Sequence, residues 1–384
     1  MITILITGGG TGGHLSPGVA LYQSFKEKEV RALFLASNRD RRFSSLQEIN
    51  KQDLYLYPAP VLSKNIFKLI IFLPLFLLSF FKAIRVIKQN NVQGVVGMGG
   101  YVSAPALLAA IFSKIPLFLC EQNSVPGKVT VWFEKYALKV YGTFALAKDY
   151  LKFDFKFKNL GNPLRRHIIV NKNKEEAKKF FNLGHTKKII LVIGGSQGAL
   201  RVNELFFEMR KKYADDFKDF GVIWSLGDYS YPRFKSKIEQ ELKQGSIYIS
   251  PYIKQVGLAY KAADIVIGRS GSGVMMEIAV NALPAIFIPY PYALKDHQTK
   301  NAAVFSKAGA AINLSEKDLT ADKLASALLG LLNNKPALNQ MSQRALAVSS
   351  SQAGDLISVD ILDNLKVNKT PKRITDKIKG ENIV

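Results

Sequence analysis

A single cysteine, Cys120, leaves this chain of 384 residues without an internal disulfide and fits a reducing compartment. Acidic residues are also scarce. Thirty Asp and Glu stand against 53 Lys and Arg, a formal net charge of +23. No Gly-x-x-x-x-Gly-Lys-Ser/Thr loop occurs, which excludes a Walker-type nucleotide site. Four histidines and one cysteine, with no His, Cys or carboxylate cluster at ligand spacing, give no reason to expect a catalytic metal or another cofactor. Zinc-knuckle spacing, aromatic-interleaved basic runs and recognition-helix patterns are missing, so nucleic acid is not an expected partner. The cationic excess points instead to acidic lipid headgroups or phosphorylated substrates. The apolar run that begins at Leu69 and ends at Phe81 falls short of the roughly 20 residues that a membrane span needs. The first residues lack a basic stretch and run straight into glycines, so they read as a first strand and not as a signal peptide.

What is present is 48% hydrophobic and 22% charged residues, enough for two cores in a chain of this length. Organisation begins at Gly8-Gly-Gly-Thr-Gly-Gly-His14, which follows the apolar run Ile2, Ile4, Leu5, Ile6. A strand that stops in glycines exposes backbone N–H groups at a scale that suits phosphate. Ser16 is expected to cap the helix that follows, with Pro17 at its first position. Gly8, Gly10 and Gly13 satisfy G-x-G-x-x-G, yet the second strand, 31–36, ends on Ser37 and Asn38 without the acid that binds a dinucleotide's ribose.

The theme then repeats. Val92 to Val96 runs into Gly97-Met-Gly-Gly-Tyr101, and Pro116 to Cys120 into Glu121-Gln-Asn123. The alternating passage 153–166 reads as an interdomain connection, after which Lys188 to Ile193 leads into Gly194-Gly-Ser-Gln-Gly-Ala199. Strand, glycines and helix recurring halfway along predict an α/β fold of two doubly wound halves facing a cleft. Residues 1–160 form the first, joined by a C-terminal helix at 349–366 that packs back on it. Residues 161–348 form the second and 367–384 a basic tail. Two last helical segments are expected, 320–332 and 336–365.

The densest polar and glycine passage is Arg269-Ser-Gly-Ser-Gly-Val-Met-Met-Glu277. Small residues opening a helix suit a diphosphate, and Glu277 is placed to accept both ribose hydroxyls. The run 69–81, flanked by Lys64, Lys68, Lys82, Arg85 and Lys88, reads either as a buried helix or as an interfacial one against an anionic membrane. Pro74 predicts a break or kink within it.

Together with Gly99-Gly-Tyr-Val-Ser-Ala-Pro105, Pro126-Gly127, Gly161-Asn-Pro-Leu-Arg165 and Asp296-His-Gln-Thr-Lys-Asn301, these motifs resemble the MurG family, N-acetylglucosaminyltransferases that convert lipid I to lipid II in peptidoglycan synthesis. The match runs in order over nearly the whole chain. The resemblance implies a GT-B architecture of two Rossmann-like domains, UDP-N-acetylglucosamine (UDP-GlcNAc) as donor, and an undecaprenyl-diphosphate-linked acceptor (lipid I) at the cytoplasmic membrane face. By motif match, donor contacts fall on Thr11, Gly12, Gly13, Asn123, Arg165, Ser196, Ile253, Ser272, Gly273, Val274, Met275, Met276, Glu277 and Gln298. The chain departs from the family at Cys120 and at Thr130-Val131.

An inverting transfer needs a base for the acceptor hydroxyl and stabilisation of the leaving diphosphate. His14 is the first candidate base and Glu121 the second, against a role for Glu121 in orienting Asn123. His167, His185 and His297 read as structural or solvated. Two other readings stay open: a UDP-sugar transferase acting on another membrane lipid such as diacylglycerol, and a non-catalytic nucleotide- or lipid-binding membrane module.

Overall fold

The structure, a computed structural model, describes residues 2–60, 66–195, 198–242 and 246–369. Two parallel sheets organise it, one per lobe. The first has seven strands: β1 (Thr3–Thr7), β2 (Arg31–Ser37), β3 (Leu54–Tyr57), β4 (Gly94–Gly97), β5 (Leu117–Glu121), β6 (Lys139–Gly142) and β7 (Phe157–Asn159). Their spatial order is β3-β2-β1-β4-β5-β6-β7. Helices α1 (Gly12–Glu27), α2 (Ile66–Gln89), α3 (Ala104–Phe112) and α4 (Lys128–Phe133) connect them. Apolar residues fill both faces: Leu5, Leu33 and Val95 pack on one side, Ile4, Ile6 and Phe34 on the other. Burial on both sides is why these strands are continuous apolar runs.

The second sheet has β8 (Lys188–Ile193), β9 (Phe220–Ser225), β10 (Ile247–Ser250), β11 (Ile265–Gly268), β12 (Ala285–Phe287) and β13 (Ala311–Asn313), in the order β10-β9-β8-β11-β12-β13. Around it lie α5 (Lys174–Phe180), α6 (Leu200–Lys212), α7 (Tyr231–Glu241), α8 (Val256–Ala262), α9 (Ser272–Val280), α10 (His297–Lys307), α11 (Ala321–Leu332) and α12 (Lys335–Ala347). A final helix, α13 (Ala353–Lys369), returns to the first lobe. Its Ile357, Ile361 and Leu365, one helical face, join the core with Leu21 and Phe25 of α1. Lys28 pairs with Asp355 at 2.8 Å, and Tyr141 donates to Asp360 at 2.8 Å.

Strand order reverses between β1 and β4 and again between β8 and β11. Ligands of doubly wound sheets sit at such switch points. The glycine-bearing loops after these four strands therefore meet across one cleft.

Several local expectations are corrected. α1 begins at Gly12 with Thr11 as its N-cap, so Ser16 caps nothing and Pro17 lies inside the helix. The helix absorbs the proline because its missing N–H frees only the Gly13 carbonyl, close to the open end. The connection expected at 153–166 contains β7, whose Phe157 pairs with Val140 of β6. The expected helix 336–365 is two, α12 and α13, parted at a serine run where Ser349 Oγ donates to the Leu346 carbonyl at 2.8 Å, a local bond that competes with the helical ladder.

α2 runs through Pro74 unbroken; its later turns bury Ala83, Val86 and Ile87 in the core, while the apolar run before them stays largely open. Ile71, Leu73, Leu77, Leu78 and Phe81 (62% exposed) open to solvent, joined by Phe112 of α3 (73% exposed). Lys82, Arg85, Lys88 and Lys114 are exposed beside them. Lys64 and part of the tail 367–384 lie outside the described residues.

The chain crosses between lobes twice, after β7 and before α13, and the crossings touch. Ser350 Oγ donates to the Leu160 carbonyl at 3.1 Å. Gly161 has φ +91, and a Cβ there would stand 2.5 Å from that of Ser350.

Candidate active site

Residues of both lobes line a cleft of about 800 Å³, within the 300–1,000 Å³ range usual for small-ligand sites. On the first lobe it carries Thr11, Gly12, Gly13, His14, Gln122 and Asn123; Arg165 stands at the crossing; on the second lobe come Ile253, Ser272, Gly273, Val274, Glu277, His297 and Gln298. Ser196 lies outside the described residues.

The first wall is built by glycine. The N–H of His14 and that of Leu15 both return to the Thr11 carbonyl, leaving those of Gly12 and Gly13 without a helical partner at the positive end of α1. Behind them Asp40 is buried and accepts from the Gly10 N–H at 2.9 Å and the Ser37 N–H at 3.0 Å. Gly9 has to be glycine, because a Cβ would fall 2.2 Å from that carboxylate. Asp40 is the acid missing from the end of the second strand. It stands three residues later and braces the loop.

His14 lies half-buried against Gly99 and Gly100, whose φ values are +82 and +72. Its Nδ1 sits 2.9 Å from Thr11 Oγ1. Burial, helped by the nearby His297, pushes its pKa down to about 4, so the ring is neutral at pH 7 and able to accept a proton. His297, read from the sequence as structural or solvated, thus stands on the cleft wall facing the candidate base.

Glu121 is a different matter. Its carboxylate is buried and accepts from the Asn123 N–H at 3.0 Å, the Gly127 N–H at 3.0 Å and Thr130 Oγ1 at 2.6 Å. Burial raises its pKa against those bonds. All its hydrogen bonds hold one loop in shape, and it does not line the cleft, so the structure argues against Glu121 as base. The departure at Thr130 supplies one of these donors.

The second wall centres on α9. Gly271 caps it without a side-chain bond, and the first intrahelical bond runs from the Met275 N–H to the Gly271 carbonyl at 3.0 Å. The N–H groups of Ser272, Gly273 and Val274 therefore face the cleft unpaired, where an anion is stabilised. Nothing stands within 4 Å of a Cβ built on Gly271 or Gly273, so a bulky anion can reach the backbone. Met275 and Met276 are buried in the core under the sheet. Helical geometry turns two consecutive side chains inward while Val274 and Glu277 face out, so their place in the contiguous motif does not make them contacts.

Arg165 joins the halves. Its Nη1 donates to Glu48 Oε1 of the first lobe at 3.1 Å, and its Nη2 is 3.8 Å from Glu277 Oε1 of the second. Burial raises the Glu277 carboxyl pKa, opposed by Arg165 and by a bond from Tyr260. Gln298 accepts from the Tyr290 N–H at 3.0 Å. Asn301, absent from the expected contacts, is fully buried between Asn123, Ser124 and Ser270. Its place in a polar helix opening was visible in the sequence; its reach across the lobes was not.

Family models for the glycosyltransferase family 28 N-terminal and C-terminal domains match residues 4–142 and 189–357. A Leptospira interrogans protein named UDP-N-acetylglucosamine--N-acetylmuramyl-(pentapeptide) pyrophosphoryl-undecaprenol N-acetylglucosamine transferase is 36% identical over 363 residues, covering 92% of this chain and 97% of that protein. A Desulforamulus reducens protein of the same name is 32% identical, covering 91% and 95%. Among solved structures, Acinetobacter baumannii MurG superposes with TM-score 0.70 at 24% identity, covering 94% of this chain and 100% of that one. A putative UDP-N-acetylglucosamine 2-epimerase from Listeria monocytogenes also gives 0.70, at 16% identity and full coverage of both. Fold likeness alone does not choose between transfer and epimerisation. Sequence identity along both lobes does, and the chain belongs to the MurG family of glycosyltransferases.

Proposed function

We propose that this protein transfers N-acetylglucosamine from UDP-GlcNAc to the lipid-linked N-acetylmuramyl-pentapeptide diphosphate, converting lipid I to lipid II. The observation that carries the reading is the identity to transferases of that name over more than nine-tenths of both chains. The cleft supports it chemically. The unpaired N–H groups of Ser272, Gly273 and Val274 hold the donor diphosphate, Glu277 accepts the ribose hydroxyls, and Arg165 and Ile253 border the uridine. The acceptor sugar hydroxyl attacks the anomeric carbon and gives its proton to neutral His14. As that bond forms, the bond from the anomeric carbon to the diphosphate oxygen breaks and UDP departs with the electron pair. The charge growing on the leaving oxygen is met by fixed N–H dipoles, which need no reorganisation as it develops.

The acceptor's lipid chain explains the open apolar face. Exposed side chains of α2 and α3 rimmed by Lys82, Arg85, Lys88 and Lys114 suit an anionic membrane surface, which we place at the cytoplasmic face. No helix among the described residues is long and apolar enough to cross a membrane, so the protein would lie on the bilayer through this face.

The test is transfer of labelled N-acetylglucosamine from UDP-GlcNAc to a lipid I analogue, with diacylglycerol as the parallel acceptor. Label in the lipid I product alone supports the reading. Label in the glycolipid, or donor binding without transfer to either, overturns it.

A further inference from the structure

Glu277 is the carboxylate on which the donor's ribose is proposed to rest, and a glutamate has three side-chain torsions to lose when it engages a ligand. One side chain holds it in place beforehand. Tyr260, on α8, donates from its hydroxyl to Glu277 Oε2 at 2.8 Å. Tyr260 is 1% exposed and packed in the same core as Ala259, Met276 and Ala279, so its ring is a rigid support. The other carboxylate oxygen, Oε1, stands 3.8 Å from Arg165 Nη2, beyond hydrogen-bond reach. Orientation is therefore set from the tyrosine side.

The hydroxyl itself needs a reason. Phenylalanine would fill the same space without taking a polar group out of water, which is unfavourable unless the group is bonded. Among the described residues, the bond to Glu277 is the one that the Tyr260 hydroxyl makes. The acceptor of that bond lies on the cleft wall.

We propose that Tyr260 is the positioning residue for Glu277: its hydroxyl fixes the carboxylate so that both oxygens meet the vicinal hydroxyls of the donor nucleotide's ribose. Tyr260 thereby sets the preference for a ribonucleotide over a 2′-deoxyribonucleotide donor. This rests on the UDP-sugar reading above, and Tyr260 does not itself touch the donor.

The test is Tyr260→Phe, which removes one oxygen, assayed with UDP-GlcNAc and with its 2′-deoxyuridine analogue. A charge-assisted hydrogen bond of ordinary strength corresponds to about a tenfold change. The expected result is a KM for UDP-GlcNAc raised about tenfold, kcat within about twofold, and a ribose preference reduced by about the same tenfold factor. In a Glu277→Ala background, Tyr260→Phe adds nothing further, which also serves if the single variant folds poorly. An unchanged ribose preference, or an equal additional loss without Glu277, overturns the proposal and leaves Tyr260 as a packing residue. Failure of the unaltered protein to bind UDP in calorimetry overturns the donor reading and this proposal with it. Normal UDP binding with unchanged preference in Tyr260→Phe overturns this proposal alone.

Discussion

Asn301 Oδ1 accepts two hydrogen bonds from Ser124, one from its N–H at 2.9 Å and one from its Oγ at 2.8 Å. The two residues belong to different lobes, and Asn301 Nδ2 also reaches Asn123 Oδ1 at 3.3 Å and the Ser270 carbonyl at 3.2 Å. One buried carboxamide thus sets the loop after β5 against the loop before α9. In Asn301→Ala the Ser124 N–H loses its partner in a buried place, at a cost of about 1–3 kcal/mol. Amide hydrogen exchange at Ser124 should accelerate accordingly, and the KM for the donor should rise because Asn123 loses its support. Unchanged exchange would show that the lobes do not depend on this contact.

His14→Gln should lower kcat by about 10² to 10⁴, the usual worth of a positioned base. The pH profile carries a second expectation. The base works when neutral, and burial holds its pKa down at about 4. kcat/KM of the free enzyme should therefore stay level through pH 6.5 and fall only as the pH drops toward 4. Stability follows the same sign: the unfolded chain binds the proton more readily, so stability contributed by this histidine is present above pH 6.5 and is lost as the pH falls toward 4. A kinetic break at pH 6.5 would assign the base elsewhere.

Gly273→Asp separates folding from binding. The carboxylate would stand in the first turn of α9, where it favours the helix dipole by about 0.3–1 kcal/mol. It would also stand where the donor diphosphate is proposed to bind. Thermal stability should hold or rise while the KM for UDP-GlcNAc increases at least about tenfold, a cost of about 1.4 kcal/mol. A variant that bound donor normally would move the diphosphate away from α9.

The exposed face of α2 and α3 predicts sedimentation with anionic vesicles that weakens as salt rises, since surface charges are screened over about 8–10 Å at moderate ionic strength. Phe81→Glu and Phe112→Glu together should abolish it while leaving transfer to a short-chain soluble acceptor unchanged. Binding to vesicles that survives both substitutions would put the membrane contact on another face.

Most strands were legible because strands buried on both faces spell themselves as short apolar runs ending in glycine or polar residues; β6, β7, β12 and β13, only three or four residues each, were not. The N–H cradle of α9 was legible for the same reason that it works: only small residues leave backbone open. Other features rest on information that local spacing does not carry. Gly12 and Gly13 looked like loop because glycine has poor helix propensity, yet the first turn of α1 is made from them. Asp40 was invisible because its partner, Gly10, is thirty residues back along the chain. Met275 and Met276 were taken with their motif, although the helix turns both of them into the core and only the residues on either side toward the cleft. Glu121 carried the chemistry of a base in its side chain, and only its three hydrogen bonds reveal it as a brace.

The paired crossings at Leu160–Gly161 and Ser350 bear on how the molecule moves. A body hung on one flexible tether swings through three independent angles. Hung on two segments that lie against each other, it keeps a single axis, the line where they meet, and twisting one lobe past the other would pull the Ser350 hydroxyl off the Leu160 carbonyl. Any opening or closing would then follow one arc. Any closure along that arc would bring the mouth of α9 toward His14 from one direction, an alignment fixed far from the cleft itself.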